Sequence, residues 1–433
     1  MNRPSNNQLS LYWHTFFLAI TTTFTELNTV MPALILEVGG GESAVGLLTA
    51  IMIGVPLVTQ LPFASFLHTR QKKKPFLLLG INLRVLALGM AAIVIGAALS
   101  GRAVILLVFL AMTIFALSGA FAGVSYTEMI GKVVTQKSRG TFFVRRQLFN
   151  SLGVLISAMI TRFILGRVPF PEGYAGLFYA AAGVLLVASL GFWALREPEG
   201  SLATAPATTS TTAAPLPTSS ASPTPAPTER ERILPLVLSI LKGDKNLRRL
   251  ILTTNLIAPA FTALPLITAL AHRSYEITGE TVGWFVLVQI GGMLISSRLW
   301  GAVIRRGGFR LVLWSEAILL GLLLPLALLL SANVGILAYG SVYLLLGAAI
   351  SAHRVGTEAV IVQISPDHQR ALYAGVFGAF NLGMAVVPIL SGTLIARFGF
   401  APVFLVAAAA SWTALFAIRG IWCGRWYAET SDK

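Results

Sequence analysis

Apolar stretches of about 20 residues, the length a helix needs to cross a hydrocarbon core of about 30 Å, recur along the whole chain. They fall near 12–36, 44–67, 76–99, 103–128, 143–165 and 174–195. A second set lies near 248–271, 281–303, 311–330, 334–355, 371–396 and 400–420. The pattern predicts an all-α membrane protein with twelve transmembrane helices, six on each side of position 200. Between the sets, residues 201–228 consist of Ala, Thr, Ser and Pro with two Leu. Nothing there can bury a core, so 196–232 is expected to be a disordered cytoplasmic linker. It would join an N-terminal six-helix bundle, 1–195, to a C-terminal one, 233–433, which opens with a short interfacial helix from Ile233. The first span is too long for the apolar region of a signal peptide and is expected to be retained.

Composition agrees with the pattern. The 433 residues are 55% hydrophobic and 11% charged, where soluble chains carry about 25% charged residues. A soluble multi-domain protein could not hide that much apolar surface, and a disordered chain would not have it. The net charge of +15 resembles a nucleic-acid footprint until the basic residues are placed on the spans. With the N-terminus inside, only Arg102, Arg162, Arg167, Arg273 and Arg397 fall outside, and Arg84 lies within the third span; the other basic residues are inside. By the positive-inside rule both termini are cytoplasmic, and the plasma (cell inner) membrane is the expected location. No nucleic-acid partner is expected.

The two sets of spans repeat in their polar residues. Asn28-x-x-x-Pro32 matches Asn255-x-x-x-Pro259, and Thr127-Glu128 matches Thr357-Glu358. Arg139 with Phe149-Asn150 matches Arg370 with Phe380-Asn381, and Arg70 matches Arg306, at offsets between 227 and 236 residues. An even number of spans per unit makes these parallel repeats about an axis along the membrane normal.

Six-plus-six spans, a long central linker and basic loops after the second and eighth spans resemble the major facilitator superfamily over nearly the whole chain. The family's loop motif, G-x-x-x-D-R-x-G-R-R, is degenerate here. The second copy keeps Gly301, Arg306, Gly308 and Arg310 but has Arg305 where the acid belongs, and the first copy, Ser65 to Lys74, loses both glycines and the acid. The fifth span also lacks the G-x-x-x-G-P pattern of many drug/proton antiporters in that superfamily. The resemblance implies a secondary transporter working by alternating access, with the first, fourth, seventh and tenth spans lining a central cavity. A small-molecule substrate, the bilayer and protons are the implied partners, and the chain is expected to be monomeric. Import and export stay open. The competing classes are a sensor or scaffold on a transporter-like fold and a polytopic membrane enzyme.

Chemistry concentrates in the first span. Thr22, Thr25, Glu26, Asn28 and Thr29 spread over roughly half a helical wheel, a face that cannot look at lipid. Glu26 lies near mid-bilayer, where an ionised side chain costs about 3 kcal/mol or more. Two roles follow: a proton-coupling carboxylate, or a static partner for Arg84, which lies at comparable depth. Asn28 and Asn255 are expected to face each other across the repeat axis as substrate contacts, with bends at Pro32 and Pro259. Glu128 with Arg139, and Glu358 with Arg370, are expected to form matched cytoplasmic latches. Glu316 and Arg298, near the inner surface, are expected to reach water and receive no role. No run of basic residues is foreseen along the cavity, so the solute is expected to be neutral, weakly cationic or amphipathic rather than polyanionic. His14, His68, His272, His353 and His368 lack metal-ligand spacing, Cys423 is the only cysteine, and no G-x-x-x-x-G-K-[ST] loop is present. No cofactor or metal is expected.

Overall fold

The computed structural model describes residues 5–68, 70, 72–134, 139–197, 239–365 and 370–421. Among them no strand occurs. The first span is two helices, α1 (Asn6–Phe24) and α2 (Val30–Glu37). It is followed by α3 (Glu42–His68), α4 (Lys74–Gly96), α5 (Gly101–Val133), α6 (Arg139–Leu165) and α7 (Glu172–Ala194). The seventh span is again two helices, α8 (Lys245–Thr262) and α9 (Leu264–Ser274). The eighth and ninth spans run together as α10 (Gly279–Asn333). A short α11 (Ile336–Tyr339) precedes the tenth span, α12 (Ser341–Ile364); α13 (Arg370–Phe380) and α14 (Gly383–Phe398) make the eleventh, and α15 (Phe400–Arg419) the twelfth.

Ten stretches are long and apolar enough to cross a membrane by length and composition. The 55-residue α10 accounts for two spans, because Gly308 turns the chain between them with φ +68° and ψ −173°. That conformation is essentially reserved for glycine, which explains the second motif glycine. Arg305 and Arg306 are exposed at the end of the eighth span beside this turn. The first span, broken and rich in threonine, brings the total to twelve. The local ends follow ordinary capping: Ser5 and Gln8 form a reciprocal capping box on α1, and the Asp244 side chain accepts from the Asn246 and Leu247 amides at the start of α8. Of the interfacial helix expected from Ile233, only a turn at 239–243 falls within the described residues. The 198–238 part of the linker lies outside them.

The helices form two six-helix bundles that meet along two seams, the second span against the eleventh and the fifth against the eighth. Close approach at the first seam depends on Gly46, where a Cβ would collide with the Pro388 carbonyl. Side chains such as Leu86, Leu106, Phe163, Ile295, Val406 and Phe416 point away from both bundles and are largely exposed. A surface so apolar around the whole girdle is stable only in lipid.

Candidate functional site

The break in the first span follows from two residues. Pro32 has no N–H to donate to the Asn28 carbonyl four residues back, so one helical hydrogen bond is missing at that turn. Glu26 supplies the alternative: its carboxylate accepts from the Asn28 amide (2.6 Å), the Thr29 amide (2.8 Å), the Thr29 hydroxyl (2.9 Å) and Asn28 Nδ2 (2.8 Å). The carboxylate thus lies against the amides that open α2, where the helix dipole also favours negative charge. The carbonyl that Pro32 frees does not stay empty. Asn28 O accepts from the Thr268 hydroxyl on the seventh span (2.6 Å), and that hydroxyl bonds Tyr343 Oη on the tenth (2.9 Å). Tyr343 is fully buried, stacked on Phe285 at 4.1 Å.

A cavity of about 1220 Å³ opens from this break between the two bundles. It reaches from Glu26 and Asn28 to Gln147 near the start of α6 and to Gln363 and Ser365 at the end of the tenth span. These lie toward the face at which α1 begins and α15 ends. The opposite face is shut. There Arg162 approaches Glu280 at 4.0 Å and Arg273 approaches Glu42 at 3.8 Å, each pair joining one half to the other. Exposed pairs of this kind contribute about 1 kcal/mol at most, so helix packing along the two seams does most of the sealing. Tyr275, in the loop on that face, donates to the Leu330 and Val334 carbonyls at the end of the ninth span. Burial raises its phenol above the ordinary range, which keeps it a donor.

Of the residues singled out in the first span, Thr22, Thr25, Glu26 and Asn28 line the cavity, whereas Thr29 is fully buried beneath Glu26. Asn255 is not on the cavity and does not pair across an axis with Asn28. Its Oδ1 accepts from the Gly383 amide (2.8 Å), and its Nδ2 donates to the Phe380 carbonyl (3.0 Å), so it bridges the break in the eleventh span. The seventh span, expected on the wall, contributes no lining residue; the second, third, fifth and eighth spans do. The bend expected at Pro259 is displaced too. The helix continues through Pro259 and breaks at Ala263, beside Pro265, which cannot donate to the Phe261 carbonyl.

Arg84 and Glu26 share the cavity without forming an ion pair. The Arg84 guanidinium instead lies over the Phe115 ring, 4.1 Å from its centroid, and its Nε has no hydrogen-bond partner. Arg354, from the other half, also lines the wall. Polar amides complete the wall: Gln147, Asn150 and Gln289, the last with an unpartnered Oε1. The side chains of the expected latch residues, Glu128, Arg139, Glu358 and Arg370, lie outside the described ones. The described clamps near the termini are others: Glu197 accepts from the Lys73 and Lys74 amides, and Asp244 accepts from the Tyr373 hydroxyl at 3.0 Å. Glu316 does not reach water. It is fully buried against His353 on the tenth span, because its position on the ninth span turns into the bundle rather than toward its rim. Among the described residues no group of three His, Cys, Asp or Glu could hold a metal ion.

The sequence model of the Major Facilitator Superfamily matches residues 13–269 and 250–425. No curated protein matches the chain. Among solved structures, a variant of the nucleoside transporter NupG superposes with a TM-score of 0.68 at 15% identity, covering 96% of this chain and 100% of that one. A POT family transporter in complex with a thioalcohol-conjugated peptide gives 0.68 at 12% identity, covering 95% and 94%. A D-xylose-proton symporter gives 0.64 at 13%, covering 95% and 96%. At such identities the likeness is one of fold. The family match spans both bundles and the cavity between them, and the chain accordingly belongs to the Major Facilitator Superfamily, as a multi-pass membrane secondary transporter.

Proposed function

We propose that this protein moves a small organic solute bearing one anionic group across the membrane by alternating access, with protons as the coupling ion. The observation that carries the solute class is Arg84. A guanidinium set among apolar helices is costly without an anion, and the one described carboxylate on that wall, Glu26, is already occupied by donors of its own backbone. Arg84 therefore waits for an acceptor that arrives with the solute. Arg354 on the opposite half offers a second cationic contact, and the amides between them suit the solute's polar body. Proton coupling draws support from the fold relative that is itself named a proton symporter.

The sidedness of the basic residues supports cytoplasmic termini, and on that reading the described conformation is open inward. The bundles 1–195 and 233–433 then rock about the cavity, tethered by 196–232. Glu26 acts in this cycle as a positioning residue that holds the α1–α2 break. The test is counterflow in proteoliposomes, using labelled monocarboxylates, a neutral nucleoside and D-xylose. Exchange of a monocarboxylate is expected, falling at least about tenfold, or ~1.4 kcal/mol, in Arg84→Gln. Exchange of the neutral solutes alone, or an unaltered Arg84→Gln protein, would sink the anionic assignment.

A further inference from the structure

The proton that such coupling requires has a better place than the cavity wall. We infer that the pair formed by buried Glu316 and half-buried His353 is the proton-binding site of the transport cycle, a reading that rests on the proton-coupled function proposed above. Glu316, on the ninth span, is fully buried, and its Oε1 lies 2.6 Å from His353 Nδ1. Its other oxygen, Oε2, has no partner. Glu26 differs in both respects: it borders the cavity, and both its oxygens accept hydrogen bonds. Protonating Glu26 would put a hydrogen into a line already filled by a donor, whereas Glu316 has an oxygen to spare.

Charge balance fixes what the pair holds. A neutral imidazole beside an ionised carboxylate leaves one net negative charge sealed in the bundle, a costly state. One added proton, on the spare oxygen of Glu316, brings the pair to zero net charge. No other described charged group compensates Glu316. Arg298 on the eighth span is exposed, Arg354 on the tenth lines the cavity, and Arg419 on the twelfth lies over the Trp314 ring at 5.6 Å. From the twelfth span, the Ser411 hydroxyl reaches the ninth span but is spent on the Ala317 carbonyl.

The pair also touches a moving part. The His353 ring is stacked on Phe261 at 4.0 Å, and Phe261 stands two residues before the break at Ala263 in the seventh span. Ile350, Ser351 and Arg354, on the same turns as His353, face the cavity. A change of angle at the break slides Phe261 along the imidazole and opens or closes its path to cavity water. One proton is taken up with the pair open to one side, carried while it is sealed, and released from the same pair to the other side.

The test reads the proton directly, so it needs no solute. Infrared difference spectra of the reconstituted full chain are recorded across pH in H2O and D2O. A titrating carboxyl band is expected in the parent, absent in Glu316→Gln, shifted in His353→Gln and retained in Glu26→Gln. His353→Gln keeps the carboxyl group and decides the matter if Glu316→Gln does not fold. A titrating band that survives unshifted in both variants, or that disappears in Glu26→Gln instead, overturns the assignment. In transport, gradient-driven uptake of a labelled monocarboxylate should fall in Glu316→Gln to the gradient-free level, and persistence of the gradient's effect would overturn the inference. A parent that moves no monocarboxylate refutes the solute class, while the infrared result still rules on the proton site.

Discussion

The first and seventh spans carry the same Asn-x-x-x-Pro pattern, and each is broken near its middle, yet their asparagines serve different ends. In the first span the break comes before the proline. It is held by Glu26 over the new helix start, and the carbonyl freed by Pro32 is passed to Thr268 of the other half. In the seventh span the helix survives its matched proline and breaks further on at Ala263. The position matching Glu26 is Thr253, fully buried and with an unpartnered hydroxyl. Asn255 leaves its own span to mend the gap in the eleventh. A duplicated pattern therefore preserved the residues but not their partners. The span with the carboxylate faces the cavity, and the span without it packs inward.

Substitutions at three positions test that contrast. The largest effect is expected for Glu26→Ala, which leaves the Asn28 and Thr29 amides without their acceptor. Stability, measured by thermal or denaturant unfolding in detergent, should fall by about 2 kcal/mol. Glu26→Gln, which keeps an acceptor oxygen, should lose less. Equal losses in both would mean that the charge rather than the geometry holds the break. Next comes Asn255→Ala, which strands the Gly383 amide and the Phe380 carbonyl at a cost of about 1 to 2 kcal/mol. Its effect should appear as faster hydrogen exchange in α13 and α14, not in α1 and α2; faster exchange around the first span would show that the two asparagines are coupled after all. The smallest is Thr268→Val, which removes the hydroxyl joining Asn28 to Tyr343, worth about 0.6 kcal/mol by the average for such bonds in membranes. Because that bond joins the halves beneath the shut face, accessibility labelling from that face should increase modestly. A decrease would place the contact in the other conformation.

Much of the architecture was legible before any fold was in hand. Apolar runs of span length depend on composition over many positions, and lipid leaves little freedom in how they are satisfied. The site was legible in part. Glu26 and Arg84 stood out as charges in apolar spans, and both line the cavity. Their proposed pairing failed because sequence spacing does not say which donors a carboxylate meets first, and the donors that fill it stand two and three residues further along its own chain. The helical wheel drawn through Thr29 failed for a related reason: it assumes one continuous helix, and α1 ends at Phe24. Glu316 is not legible as a site from the sequence, because depth along a span does not give distance to water. Its azimuth, which turns it into the bundle, depends on how the ninth and tenth spans pack.

What the sequence alone determined is what the solvent enforces: a membrane chain, twelve spans, two repeated halves and a handful of charges that hydropathy does not explain. These follow from transfer energies summed over about 20 residues at a time, which no packing detail can reverse. Tertiary structure decided which of those charges face the cavity, that Arg84 stays unpaired while Glu26 is filled, and that Glu316 and His353 meet at all. Such contacts hang on distances of an ångström or two between helices far apart in the chain, and the short range of a hydrogen bond makes them invisible until the bundles are assembled.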